Sequence, residues 1–199
     1  MKKQTLYHIF SHIPQMETER LILRRLQLID AEDMYDYASR EDVTRFLTWE
    51  PHPNIAYTRE YLAYVSAHYT AGDFFDWAVI DRESERMIGT CGFTRFHCDA
   101  DCAEIGYVIH PAFCGRGIAT EAAAQVIRFG FQRLDVNRIE AKFMAGNEAS
   151  RRVMEKCGMT FEGILRQSMY IKGEYRNVGI CSILRHEYYS WENSRTSVE

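Results

Sequence analysis

The segment from Ile105 to Ala122 restricts the fold more than any other part of the chain. It reads Ile-Gly-Tyr-Val-Ile-His-Pro-Ala-Phe-Cys-Gly-Arg-Gly-Ile-Ala-Thr-Glu-Ala. An apolar strand is stopped by Pro111, a glycine-containing turn follows, and a helix begins at Ile118. A strand, turn and helix in this order can aim several backbone N–H groups at one point, and the positive end of the helix dipole adds to them. Gly115 and Gly117 have no Cβ, so the backbone can curl and a ligand can approach closely. Arg116 adds a cation and Thr120 a hydroxyl in the first turn. The arrangement suits a phosphate. The spacing fits neither a P-loop nor the G-x-G-x-x-G dinucleotide fingerprint, which needs glycine where Thr120 stands. A turn that only reverses the chain is the alternative reading.

The remaining elements follow from periodicity and breakers. Leu21–Leu23 reads as a short strand. Asp30 can cap a helix running to about Ser39. A helical stretch over Val43–Leu47 is broken by Pro51 and Pro53. Asn54 opens a longer helix, with Tyr57, Tyr61, Leu62, Val65 and Tyr69 at helical spacing and Gly72 at its end. Trp77–Ile80 and Met87–Phe93 form a hairpin across a polar turn, and Ala103–Ile109 is the next strand. A helix over Ile118–Phe131, a strand over Arg138–Met144 and a helix over Glu148–Cys157 follow, with Gly158 just past the last of these. Phe161–Leu165 and Val178–Leu184 are the final strands. The order β-α-α-β-β-β-α-β-α-β-β implies an α/β fold with a mixed, mostly antiparallel sheet flanked by helices. One domain is expected over residues 17–189, with residues 1–16 and 190–199 as tails.

With 199 residues the chain can bury a sizeable core without staples. Its net charge of −4 and pI near 6.0 argue against a general nucleic-acid surface. A mild negative excess suits a cationic substrate. The N-terminal residues lack the apolar stretch of a signal peptide, and no apolar run reaches membrane-spanning length. A cytoplasmic protein with its six cysteines reduced is expected.

Cys114-Gly115-Arg116-Gly117-Ile118-Ala119 resembles the acetyl-CoA pyrophosphate motif [QR]-x-x-G-x-[GA] of the GNAT N-acetyltransferases. Asn147-Glu148-Ala149-Ser150-Arg151-Arg152-Val153-Met154-Glu155-Lys156-Cys157-Gly158-Met159 is similar to that family's N-x-x-S-x-x-[VL]-x-E-K-x-G-[FM] signature. Phe161–Arg166 and Glu19–Arg24 look like stretches of the RimJ/RimL branch, which acts on protein N-termini. The resemblance spans residues 17–189. Cys114 departs from it, standing where Gln or Arg is usual. A thiol beside a helix N-terminus can also be reactive.

The resemblance implies a GNAT fold and transfer of an acetyl group from acetyl-CoA, as cosubstrate, to a primary amine. Tyr107, Val108 and Ile109 on the central strand would pair with the pantetheine arm, and an N–H near Tyr107 or Val108 would face the developing oxyanion. Cys114, Gly115, Arg116, Gly117, Ile118, Ala119 and Thr120 would hold the pyrophosphate. Asn147 would hold a pantetheine amide, and Arg151 would reach a phosphate. Glu104 is the implied base acting through water, and Ser150 the donor to the leaving thiolate. Helix capping by Asn147, with Ser150 in the first turn, is the alternative reading, and both can hold at once. Glu104 has the alternative of a surface-strand carboxylate. Tyr170 is a weaker acid candidate.

An α-amine has a pKa near 8 and a lysine one near 10.4, so a weak base suffices for an N-terminus. The RimJ/RimL resemblance makes a protein N-terminus the first acceptor expected. A small amine such as an antibiotic, polyamine or amino acid is the second, and a non-catalytic acyl-CoA sensor is a third class. Trp49 and Tyr57 are candidate pocket walls. Phe74, Phe75, Trp77, Phe93 and Phe96 could line an acceptor pocket but read more readily as core. His97-Cys98-Asp99-Ala100-Asp101-Cys102 reads as a polar hairpin loop, with no metal expected. Nucleic acid and membrane are not expected as partners, and the chain would be a monomer or homodimer.

Overall fold

The computed structural model describes residues 3–196. Its strands are β1 (Met16–Glu17), β2 (Leu21–Arg24), β3 (Asp76–Asp81), β4 (Met87–His97), β5 (Cys102–Ile109), β6 (Arg138–Met144), β7 (Thr160–Ile171) and β8 (Glu174–Leu184). They form one sheet in the order β1-β2-β3-β4-β5-β6-β8-β7. Every pairing is antiparallel except β5 with β6. The helices are α1 (Lys3–Ser11), α2 (Ala31–Ala38), α3 (Glu41–Thr44), α4 (Ile55–Ala71), α5 (Ile118–Arg133), α6 (Glu148–Lys156) and α7 (Arg185–Thr196).

Strand alternation divides the apolar residues between two cores. Trp77, Val79, Cys91, Phe93 and Ile105 meet α5 through Ala122, Val126 and Ile127 on one face. Ala78, Ile80 and Met87 meet α2 and α4 through Met34, Tyr37, Leu62 and Tyr69 on the other. Helix ends follow local chemistry. The Asn54 side chain accepts from the Tyr57 N–H, and Gly72 closes α4 in the left-handed region at φ +70°. The expected cap at Asp30 is different. Its carboxylate is buried against Arg24 at 2.6 Å and accepts from the Gln27 N–H, so it ties β2 to the loop before α2.

The parallel pair creates the cleft. Its register runs from Cys102↔Arg138 to Ile105↔Ala141 and stops there, although both strands continue. Beyond that point β6 pairs only with β8, and β5 only with β4. The Gly106–Ile109 edge therefore has no strand beside it.

The expected N-terminal tail is instead part of the core. Lys3–Ser11 is helical, and Phe10 is fully buried among the rings of Phe75, Trp77, Phe93, Phe96 and Phe129. At the other end α7 runs to Thr196 and buries Tyr188. Residues 1, 2 and 197–199 of the expected tails lie outside the described residues. The last two strands are longer than expected because β7 and β8 continue as a hairpin beyond the body of the sheet, turning at Lys172-Gly173. Among the described residues no helix is long and apolar enough to cross a membrane.

Candidate active site

The turn before α5 has the geometry its glycines suggested. Gly115 and Gly117 lie at φ +76° and +80°, where a side chain would be strained. The first backbone bond at the start of α5 runs from the Glu121 N–H to the Gly117 carbonyl. Among the described residues, the N–H groups of residues 115–120 therefore have no backbone acceptor. The turn is anchored from the loop just before β2: Arg20 donates to the Arg116 carbonyl at 2.9 Å and pairs with Glu121 at 2.6 Å. That pairing also neutralises the carboxylate nearest the turn.

The turn opens on a cavity of about 460 Å³, whose wall includes Tyr107, Val108, Ile109, Cys114, Gly115, Gly117, Ile118, Ala119, Thr120, Asn147 and Ser150. A second cavity of about 260 Å³ lies on the other side of the unpaired β5 edge and includes Glu104, Gly106, Tyr107, Val108, Lys142, Asn147 and Ser150. Tyr107, Val108, Asn147 and Ser150 belong to both, so the two spaces meet at the edge of β5. Asn147 caps α6, its side-chain oxygen accepting from the Ser150 N–H at 3.1 Å. Its amide NH₂ makes no hydrogen bond to the described residues. The Tyr107 hydroxyl lies 3.0 Å from Ser150 Oγ and 2.9 Å from the Ser150 carbonyl. Burial pushes the Tyr107 phenol far up, so it stays a proton donor.

Glu104 faces the smaller cavity, with its carboxylate 2.5 Å from Lys142 Nζ and 3.2 Å from the Thr94 hydroxyl. Asp76 on β3 lines the same cavity. Burial pushes its carboxyl up to about 7, against the Trp77 N–H and Thr90 hydroxyl that favour its charge. Among the described residues no cationic side chain pairs with it. A donor row at the turn, an unpaired strand edge and a carboxylate-lined pocket beyond it make a cleft that can hold a long phosphorylated thioester beside an amine.

Residues 20–160 match the family description "Acetyltransferase (GNAT) domain". The chain belongs to the GNAT acetyltransferase family. It is an N-acetyltransferase with a GNAT fold. The uncharacterized N-acetyltransferase YoaA of Bacillus subtilis (strain 168) is 35% identical over 86% of this chain and 97% of its own length. Two more distant relatives come from Escherichia coli (strain K12). [Ribosomal protein uS5]-alanine N-acetyltransferase is 26% identical over 84% of this chain and 90% of its own. Spermidine N(1)-acetyltransferase is 25% identical over 83% and 87%. A crystal structure of a GCN5-related N-acetyltransferase from Brucella melitensis superposes with a TM-score of 0.80 at 26% identity, covering 92% of this chain and 84% of that one.

Within this GNAT cleft several expected side chains point elsewhere. Arg151 pairs with Glu155 at 2.9 Å and stacks on Phe161 at 4.2 Å, on the far side of α6. Arg152 and Lys156, one helical turn apart, line the turn cavity instead. The Arg116 side chain lies over the Phe113 ring at 5.4 Å, outside the cavity wall. Burial of its sulfur pushes the Cys114 thiol up, opposite to what a reactive thiolate requires. Tyr170 is exposed on the β7–β8 hairpin against Tyr175, away from both cavities. Phe75, Trp77, Phe93 and Phe96 pack in the core beneath α5, and Phe74 packs against Tyr69. Trp49 and Tyr57 do line a cavity, together with Asp76. Sequence reasoning missed Asp76, because a single Asp before an apolar run reads as the start of a strand. It missed Lys142 because the parallel register was unknown.

Proposed function

We propose that this protein transfers the acetyl group of acetyl-CoA to the primary amine of a small molecule, by direct attack with both reactants held in the cleft. The observation that carries this is the continuity of the two cavities at the unpaired Gly106–Ile109 edge. Free N–H groups of residues 115–120, with Arg152 and Lys156 opposite, take the pyrophosphate. The β5 edge and the Asn147 amide take the pantetheine arm as an added strand. An N–H of Tyr107 or Val108 faces the thioester oxygen. Ser150, held by the Tyr107 hydroxyl, donates to the departing thiolate. Glu104, paired with Lys142, orients water near the amine. Holding two reactants in attack geometry supplies roughly 7–11 kcal/mol in favourable cases.

The roof over the acceptor side favours a small amine. Lys172 at the hairpin tip donates to the Thr44 carbonyl at 2.8 Å and lies 3.6 Å from Glu50. Met169 and Ile171 of β7 meet Phe46, Leu47 and Trp49 across the same cavity. A protein N-terminus is the second reading, supported by the RimJ/RimL-like stretches at Glu19–Arg24 and Phe161–Arg166 and by the uS5-alanine relative.

Gly117→Ala tests the phosphate grip. Forcing an L side chain at φ +80° costs about 1–2 kcal/mol and turns the N–H groups away. Calorimetry should show acetyl-CoA binding weakened on the order of tenfold, with the melting temperature changing by a few degrees at most. Unchanged affinity would remove the turn from the binding site.

A further inference from the structure

Behind the acceptor cavity lies a smaller chamber of about 210 Å³. Trp49, Asp76, Thr90 and Val108 line both spaces and form the doorway between them. The inner wall is aromatic. His52 stands 5.5 Å from Trp49, 4.9 Å from Tyr57 and 5.8 Å from Tyr61, ring centre to ring centre. The sheet floor leads from Asp76 to the reaction edge without side chains. Asp76 is in register with Gly92, and Gly92 with Gly106. A Cβ on Gly92 would lie 2.6 Å from Asp76 Oδ1, so the carboxylate occupies the space the glycine leaves. Neighbouring strands are about 4.8 Å apart, which places Asp76 roughly 10 Å from the β5 backbone.

A carboxylate without a cation, at the mouth of an aromatic chamber, is a receptor for an ammonium group. Its distance from β5 leaves room for a short aliphatic chain between that ammonium and the nitrogen being acetylated. We propose that Asp76 and the aromatic chamber form a subsite for the second, positively charged amino group of a compact aliphatic diamine acceptor. This rests on the small-amine reading above and names its substrate class. The reacting nitrogen, once deprotonated, attacks the thioester carbonyl. A C–N bond forms as the C–S bond breaks; the nitrogen gives its extra proton to the water beside Glu104, the thiolate takes a proton from the Ser150 hydroxyl, which solvent restores, and the second ammonium stays on Asp76 unchanged.

Among the described residues, the titratable groups around Asp76 supply no cation to pair with it. Tyr37 on α2, Tyr61 and Tyr69 on α4 and Cys91 on β4 feel the Asp76 charge and are all held protonated by burial. Burial lowers the His52 pKa, so it stays neutral near pH 7. Glu50 faces Lys172, and Glu104 pairs with Lys142. Because burial pushes the Asp76 carboxyl up to about 7, KM for a diamine should fall as pH rises through that value.

The test compares 1,4-diaminobutane with n-butylamine, using purified full-length protein and acetyl-CoA. Wild type should favour the diamine by about 10- to 100-fold in kcat/KM, the range of one charge-assisted pair. Asp76→Asn should collapse that preference mainly through KM, and Trp49→Leu should reduce it several-fold. Diamine binding to the CoA complex, followed by calorimetry, gives a second readout independent of turnover. Binding lost in Asp76→Asn without any acetyl transfer would keep the subsite and sink the transferase reading. Equal use of diamine and monoamine, or an equal loss of both in Asp76→Asn, would overturn the proposal. So would transfer to peptide N-termini with no diamine binding.

Discussion

Individual side chains show where sequence reading succeeds and where it ends. Gly115 and Gly117 were legible because a strand, a glycine turn and a helix start restrict the backbone to few conformations. Which of Arg151 and Arg152 faces the cleft was not legible, because two adjacent arginines on a helix point about 100° apart. The packing of Met154 and Cys157 into the core sets that rotation and brings Arg152 and Lys156 to the cavity. Asp76 has a thermodynamic consequence that can be measured. Its folded pKa of about 7 lies above the unfolded value near 3.9, so the folded state binds the proton more tightly. Its contribution to stability is complete below about pH 4 and is lost as pH rises through 7. The difference is at most about 4 kcal/mol. Asp76→Asn should therefore raise the melting temperature at pH 8 relative to wild type, and the gap should narrow towards pH 5. Equal melting temperatures at all pH values would mean that Asp76 carries no such penalty.

At the level of elements, periodicity located the helices and strands of the body, but not the helix that precedes it. Leu6 and Phe10 are four residues apart and face the core together, while Tyr7 and His8 between them are exposed. Two buried residues in a short stretch are too few to mark a helix in sequence, so residues 1–16 read as a tail. The ends of β7 and β8 were equally hidden, since most residues of the projecting hairpin are exposed and only Met169 and Ile171 turn towards the acceptor cavity, too few to make a two-residue pattern in sequence. Phe10→Ala should destabilise the protein by about 3–5 kcal/mol, the cost of removing a fully buried ring, as read from a denaturant midpoint. A change below about 0.5 kcal/mol would return α1 to the status of a tail.

At the scale of the molecule, the fold class and the order of the central strands were legible, because three hairpin-connected strands followed by a crossover leave few topologies. The splay between β5 and β6 was not. It depends on where a parallel register stops, which is a property of the twisted sheet and of the groups packed on both its faces. That opening places an unpaired strand edge, the phosphate turn and the Asp76 chamber along one continuous cleft. Such a cleft should perform acetyl transfer to small amines.

The most direct test incubates the purified protein with acetyl-CoA and a panel of aliphatic amines, diamines, amino acids, aminoglycosides and N-terminal peptides, and reads products by mass spectrometry. The account predicts acetylated small amines, with release of one CoA for each acetyl group transferred. Acetylated peptides with no small-amine product would contradict the acceptor assignment. No acetylated amine of any kind, with acetyl-CoA bound and intact, would contradict catalysis itself.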